Sequence, residues 1–165
     1  MIYIDLQQDF SDTSLLERAA RFTLDTSTQL RAGVDSVPAD ILTPLSTSVD
    51  MTIVLTDDAQ LRELNREYLG LDAPTDVLSF PSSETDPETG IPYFGDILIS
   101  IPRAVQQAQA AGHPVEAEVQ LLVVHGTLHL LGHNHAEAEE KSRMWKAQAE
   151  VLARLGLSHV KIQDS

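Results

Sequence analysis

The chain's 165 residues are enough for one domain with its own core, without disulfides or a second module. It has no cysteine, which excludes a disulfide framework and a thiolate metal site and leaves histidine and carboxylate to hold any metal. With 25 acidic against 11 basic side chains, the formal charge of −14 repels nucleic acid at long range, so a nucleic-acid function needs a local basic patch or a partner protein.

The amino-terminal stretch MIYIDLQQDF lacks the basic start and apolar run of a signal peptide. No segment approaches the roughly 20 apolar residues that span a bilayer, so the expected protein is soluble and cytoplasmic. Residues 2–7 have the β-branched and aromatic character of a strand, and 50–58 have it more strongly. Between them, Ser14 and Glu17 have the spacing of a capping box and predict a helix over 14–24. Residues 25–48, with Pro38 and Pro44, are the least periodic part and are expected to hold at most a short helix over 39–45.

Asp57 and Gln60 repeat the capping spacing, and Leu61, Leu64 and Tyr68 then recur at helical intervals until Gly70. A strand follows over 76–82, a turn-rich surface loop over 83–92 and another strand over 96–101. Pro102 marks the start of a short alanine-rich helix over 103–111, closed by Gly112, and Pro114 opens the next at its first position. In the last helix Met144, Gln148, Val151, Leu152 and Leu155 fall near helical spacing, with Gly156 as the stop. Four strands and about five helices that do not strictly alternate predict an α+β fold with a small mixed four-stranded sheet, in a single domain over 1–165.

The chemistry concentrates in HGTLHLLGHNH, residues 125–135, which holds four of the six histidines. The helix leading into it, LLVVHGTLHLL, is aliphatic on nearly every side, as expected of an enclosed helix. His125 and His129 are four apart, so both rings share one face within reach of a single ion. Gly132 offers the left-handed conformation that ends a helix, letting the chain fold back with His133 or His135 as a third ligand. His133 continues the spacing of four only if the helix runs through Gly132, whereas His135 suits a chain that has turned. A lone histidine on an apolar helix is usually a hydrogen-bonded core residue. Two at this spacing, then a helix-ending glycine and a third, favour a metal, because each buried ring would otherwise need its own partner. Three imidazoles leave the fourth position of a tetrahedral zinc open, the arrangement of a catalytic rather than a structural site.

The spacing of His125, His129, Gly132 and His135 is that of the metzincin proteases. The peptidase base, however, is a glutamate directly after the first histidine, and here that place is Gly126. Glycine moves no proton, and it costs a helix about 1 kcal/mol relative to alanine, so close approach of another backbone is the structural explanation for it. A zinc hydrolase acting on a substrate with a better intrinsic leaving group, or with its own phosphate as an electrostatic participant, fits better than a peptidase.

HGTLHLLGHNH, together with LNREYLGLDAPTDVLSFP (64–81) and GDILIS (95–100), resembles the YbeY family of bacterial zinc-dependent endoribonucleases, the rRNA maturation factors. The likeness runs from about 49 to 156. It implies a three-histidine zinc site at His125, His129 and His135 with one Zn2+ per chain, and an α+β fold. It also implies single-strand-type endoribonuclease activity in 16S rRNA 3′-end maturation and ribosome quality control. The implied partners are ribosomal RNA and pre-ribosomal particles, reached through ribosomal proteins or an assembly GTPase, with no membrane. The chain departs from the family at Leu69, where members commonly carry an arginine, and at Asn134, where aspartate usually precedes the last histidine. The first departure removes a cation that pairs with phosphate and the second removes a charge.

Arg66 and Arg103 are the substrate-binding candidates that could replace the missing cation, the other reading of both being solvated surface. Asp76 and Asp96 head expected strands, where turn bonding explains them as well as catalysis does. Tyr68, Phe80 and Trp145 read first as core residues, with base stacking as the second reading. No residue is singled out as general base. The rival functions are a zinc metallopeptidase of unusual mechanism and a non-catalytic, zinc-stabilised ribosome-assembly factor.

Overall fold

The computed structural model describes residues 1–32, 45–133 and 137–160. Its elements, in chain order, are β1 (Ile2–Leu6), α1 (Ser14–Ala32), a 3-10 turn (Leu45–Thr47), β2 (Asp50–Thr56), α2 (Asp58–Leu69), β3 (Val77–Pro81), β4 (Tyr93–Ser100), α3 (Ile101–Ala111), α4 (Val115–Leu130) and α5 (Ala138–Arg154). The sheet order is β1-β2-β4-β3. β1, β2 and β4 run parallel and β3 pairs antiparallel with β4, so the sheet is mixed, as the sequence predicts.

Strand alternation sets the layers. Met51, Ile53 and Leu55 of β2 and Ile97 and Ile99 of β4 are fully buried in the main core, with Leu16 and Leu24 of α1 and the apolar residues of α4 and α5. Leu61 of α2 and Leu78 of β3 are buried apart from that cluster, where α2 packs on β3 and β4. α4 is the hub. It touches α1, α3, α5, β3 and β4, which is why its sequence shows no polar face: each side of it meets another element.

Several boundaries differ from the sequence reading. The spacing at Ser14 and Glu17 is not a capping box. Ser14 is already helical, and its hydroxyl bonds Asp12 at 2.5 Å instead of capping an amide. α1 continues well past residue 24, to Ala32. The short helix expected over 39–45 falls almost wholly outside the described residues. Asp57, in contrast, caps α2 as its spacing suggests, accepting from Gln60 N–H at 2.8 Å. β4 begins at Tyr93, so Asp96 lies within the strand and not at its head, and accepts the Tyr93 hydroxyl proton. Pro114 precedes α4 as its N-cap and is not its first residue. Among the described residues no helix is long and apolar enough to cross a membrane.

Candidate functional site

α4 ends in a way that builds the site. Its last turn closes with Gly132 N–H donating to His129 O and His133 N–H donating to Leu128 O, both at 3.0 Å. Gly132 takes the left-handed φ of 94° that this double closure requires. The chain therefore folds back over the helix end, and the His133 carbonyl arrives 3.0 Å from His129 Nδ1. A carbonyl only accepts, so this ring nitrogen carries the proton and Nε2 keeps its lone pair.

His125 is oriented by a different element. Gln148, on α5 and 1% exposed, turns its Oε1 to His125 Nδ1 at 2.9 Å. Trp145, one turn earlier on α5, sets its ring edge-on to His125 at 5.9 Å between centroids. With both Nδ1 atoms engaged, the two Nε2 atoms face each other 3.1 Å apart. Two neutral imidazoles held this way confront lone pair with lone pair, which a cation shared between them relieves.

The rings open into a cleft of about 530 Å3 lined also by Leu69, Thr75, Asp76, Val77, Leu78, Ser79 and Pro81. The cleft thus lies between α4 and the edge strand β3. Gly126 explains how closely the two approach: a Cβ there would stand 2.8 Å from Ile97 Cγ2 and 3.2 Å from Ser79 Oγ. The Ser79 hydroxyl donates to Gly126 O at 3.0 Å, pinning the strand to the residue after His125. The backbone expected to approach Gly126 is not what meets it: side chains of β3 and β4 fill that space.

Of the three metal candidates, the structure brings His125 and His129 together, while His135 and Asn134 lie outside the described residues. Among the described residues no three His, Asp or Glu side chains converge as a metal cluster. His133 faces a second cavity, with Glu140 and Arg143, and is not among the residues lining the cleft.

The two arginine candidates are engaged elsewhere. Arg66 pairs with Glu63 on the exposed face of α2. Arg103 grips Asp58 with two bonds, Nε to Oδ1 at 3.0 Å and Nη2 to Oδ2 at 2.7 Å. This bond holds the Asp58 carboxyl below its ordinary range, and it ties the start of α3 to the start of α2. Neither arginine lines the cleft.

Asp76 does line it. Its main-chain carbonyl accepts Ser100 N–H at 3.0 Å, while its carboxylate reaches Arg103 and Glu118 through its charge. Glu118, one of two buried carboxyl and imidazole partners at the start of α4, lies 2.5 Å from His113 Nε2. Burial pushes its carboxyl up, against the pull of His113.

Tyr68 is not a core residue. It is 63% exposed at the end of α2, with only its edge against Phe80, and Leu69 and Leu71 beside it are 57% and 59% exposed. Sequence reasoning missed the role of Gln148, although the signal was present: one amide interrupts the apolar stripe Met144, Val151, Leu152 and Leu155.

Comparison with known proteins points one way. The family model described as Endoribonuclease YbeY matches residues 19–156, thirty residues further toward the amino terminus than the motifs alone indicate. A protein named Endoribonuclease YbeY from Geobacillus thermodenitrificans is 38% identical over 161 residues, covering 93% of this chain and 98% of that protein. One of the same name from Shouchella clausii is 44% identical over 122 residues, covering 68% and 76%. A solution structure of a Thermotoga maritima protein superposes with a TM-score of 0.54 at 24% identity, covering 99% of this chain and 97% of that one, which supports the fold.

Proposed function

The chain belongs to the YbeY endoribonuclease family, and from that premise we propose that it hydrolyses ribosomal RNA at a zinc ion held by His125, His129 and His135. The observation that carries the reading is the pair of Nε2 atoms 3.1 Å apart, each on a ring whose other nitrogen is already engaged. Zinc–nitrogen bonds of about 2.0–2.1 Å at a tetrahedral angle set two ligand nitrogens about 3.3–3.4 Å apart, so the pair fits the ion with little movement. The third ligand is taken to be His135, which the spacing after Gly132 favours and the family resemblance implies.

Zinc bound there supplies Lewis acidity toward a phosphoryl oxygen and toward water. The remaining steps belong to the chain. Gln148 and the His133 carbonyl hold the two rings by Nδ1, so that both Nε2 atoms are turned toward the ion's place. Asp76 lines the same cleft, which makes its carboxylate the candidate to take the proton from the attacking water and return it to the sugar oxygen that leaves. Gly126 stands where a peptidase needs its glutamate, so the same scaffold is not set up to cut peptides. Arg66 and Arg103 serve RNA only when phosphate displaces Glu63 and Asp58 from them. With a charge of −14, this gives weak binding to naked RNA and delivery, in the cytoplasm, by ribosomal proteins or an assembly GTPase.

The test is cleavage of an RNA carrying the small-subunit 3′ end by purified, zinc-loaded protein. Cutting that stops on chelation, returns with zinc and is absent in His129→Ala supports the reading. Intact RNA with a fully loaded site, or casein hydrolysis in its place, rejects it.

A further inference from the structure

The register of β3 determines which of its amides are already paired. Ser82 N–H donates to Phe94 O and Ser100 N–H to Asp76 O, each at 3.0 Å, and the pairing between those points runs unbroken from Val77↔Ile99 to Pro81↔Gly95. Bonded positions recur at every second residue of an antiparallel pair. Asp76, Leu78, Phe80 and Ser82 therefore bond to β4, and Val77, Ser79 and Pro81 turn their backbone polar groups outward. β3 is the last strand of the sheet, so no strand meets them, although Val77 O accepts the Thr75 hydroxyl at 3.4 Å.

Proline has no N–H, which leaves two outward donors, Val77 and Ser79, and among the described residues neither finds an acceptor. Both residues line the cleft with His125 and His129. Ser79 Oγ is committed to Gly126 O at 3.0 Å, so the strand edge is fixed against the residue next to His125. Among the described residues no lysine or arginine lines the cleft, and Leu69 is one of those that do. Beside the ion, the groups of this wall that can donate to a phosphate are therefore, among the described residues, main-chain amides.

We infer that the Val77 and Ser79 amides are the phosphate-binding wall of the site. Outward amides two residues apart are about 6.6–6.8 Å apart along a strand, a spacing comparable to that of successive phosphates in an extended RNA strand. Ser79 N–H donates to a non-bridging oxygen of the phosphate beside the histidines and Val77 N–H to the next one along. Preorganised amides stabilise charge that develops on such an oxygen without the desolvation that a free cation suffers. The inference rests on the endoribonuclease reading and extends it to named donors.

Two measurements test it. In zinc-loaded, 15N-labelled protein titrated with dimethyl phosphate, the Val77 and Ser79 amide resonances are expected to move downfield and saturate while Leu78 and Phe80 stay nearly still. Saturating shifts elsewhere with Val77 and Ser79 unmoved overturn the inference. Ser79→Pro removes the amide donor, at an edge position where proline is tolerated, together with the hydroxyl bond to Gly126 O that Ser79→Ala removes alone; kcat/KM on RNA is expected to fall about a hundredfold below that of Ser79→Ala with zinc content retained. A folded, zinc-loaded Ser79→Pro protein that cuts at the Ser79→Ala rate also overturns it. If that variant does not fold, the titration decides. Failure of the wild-type protein to cut RNA is a separate result, and it strikes the functional reading instead.

Discussion

Gly126→Ala separates what the helix prefers from what its neighbours permit. Helix propensity alone makes alanine the better residue by about 1 kcal/mol, so a reading of α4 in isolation expects stabilisation. In the fold the added Cβ stands 2.8 Å from Ile97 Cγ2 and 3.3 Å from Ile97 Cδ1, where carbon atoms rest at about 3.5–4.0 Å. Ile97 is fully buried, and a β-branched side chain has little freedom to turn away. Overpacking of this kind costs about 1–3 kcal/mol, which exceeds the propensity gain and leaves a net loss of about 1 kcal/mol. Thermal unfolding is then expected about 2–4 °C lower than in the wild type. In an Ile97→Ala background, which removes Cγ2, the same Gly126→Ala change is expected to raise Tm, so the two mutations couple. A higher Tm for Gly126→Ala alone refutes the close approach of α4 to β4.

The other expectations follow from named contacts. Gln148→Leu strips the acceptor from His125 Nδ1 and is expected to weaken zinc binding about 10–100-fold, measured by competition with a chromogenic chelator. Glu118 has its carboxyl raised above 4.5 by burial; its contribution to stability is fullest below that pH and declines as pH rises through the folded-state value. The stability of Glu118→Gln relative to wild type is therefore expected to improve with pH across that window, read from urea unfolding at several pH values. Asp58 has the opposite sign: Arg103 lowers its carboxyl from 3.8, so its contribution is present above that pH and lost as pH falls through the folded-state value. Asp58→Asn is expected to flatten acid unfolding there.

Much of the fold was legible because each element carried its own period and punctuation. Asp57 with Gln60 marked the start of α2, and Gly70, Gly112 and Gly156 marked ends where the structure has left-handed backbone. The pair His125 and His129 was legible because a spacing of four on a helix needs no tertiary information. What escaped the sequence depends on neighbours. Ser14 was read as a cap, yet Asp12 claims its hydroxyl. Tyr68 was read as core because its spacing matched Leu61 and Leu64, but α2 ends at the sheet's edge strand and leaves that ring in solvent. Arg103 carried no sign that Asp58, 45 residues earlier, would hold it. Gln148 could be seen as an odd residue in an apolar stripe, but only the packing of α5 on α4 shows that a histidine faces it.

The central claim is a zinc ion held by three imidazoles, two of them facing across 3.1 Å. Elemental analysis of purified wild type, His133→Ala and His135→Ala, prepared side by side, addresses it most directly. About one zinc per chain is expected in the first two and a large deficit in the third. Full occupancy in His135→Ala, or loss of the metal in His133→Ala instead, would contradict the account.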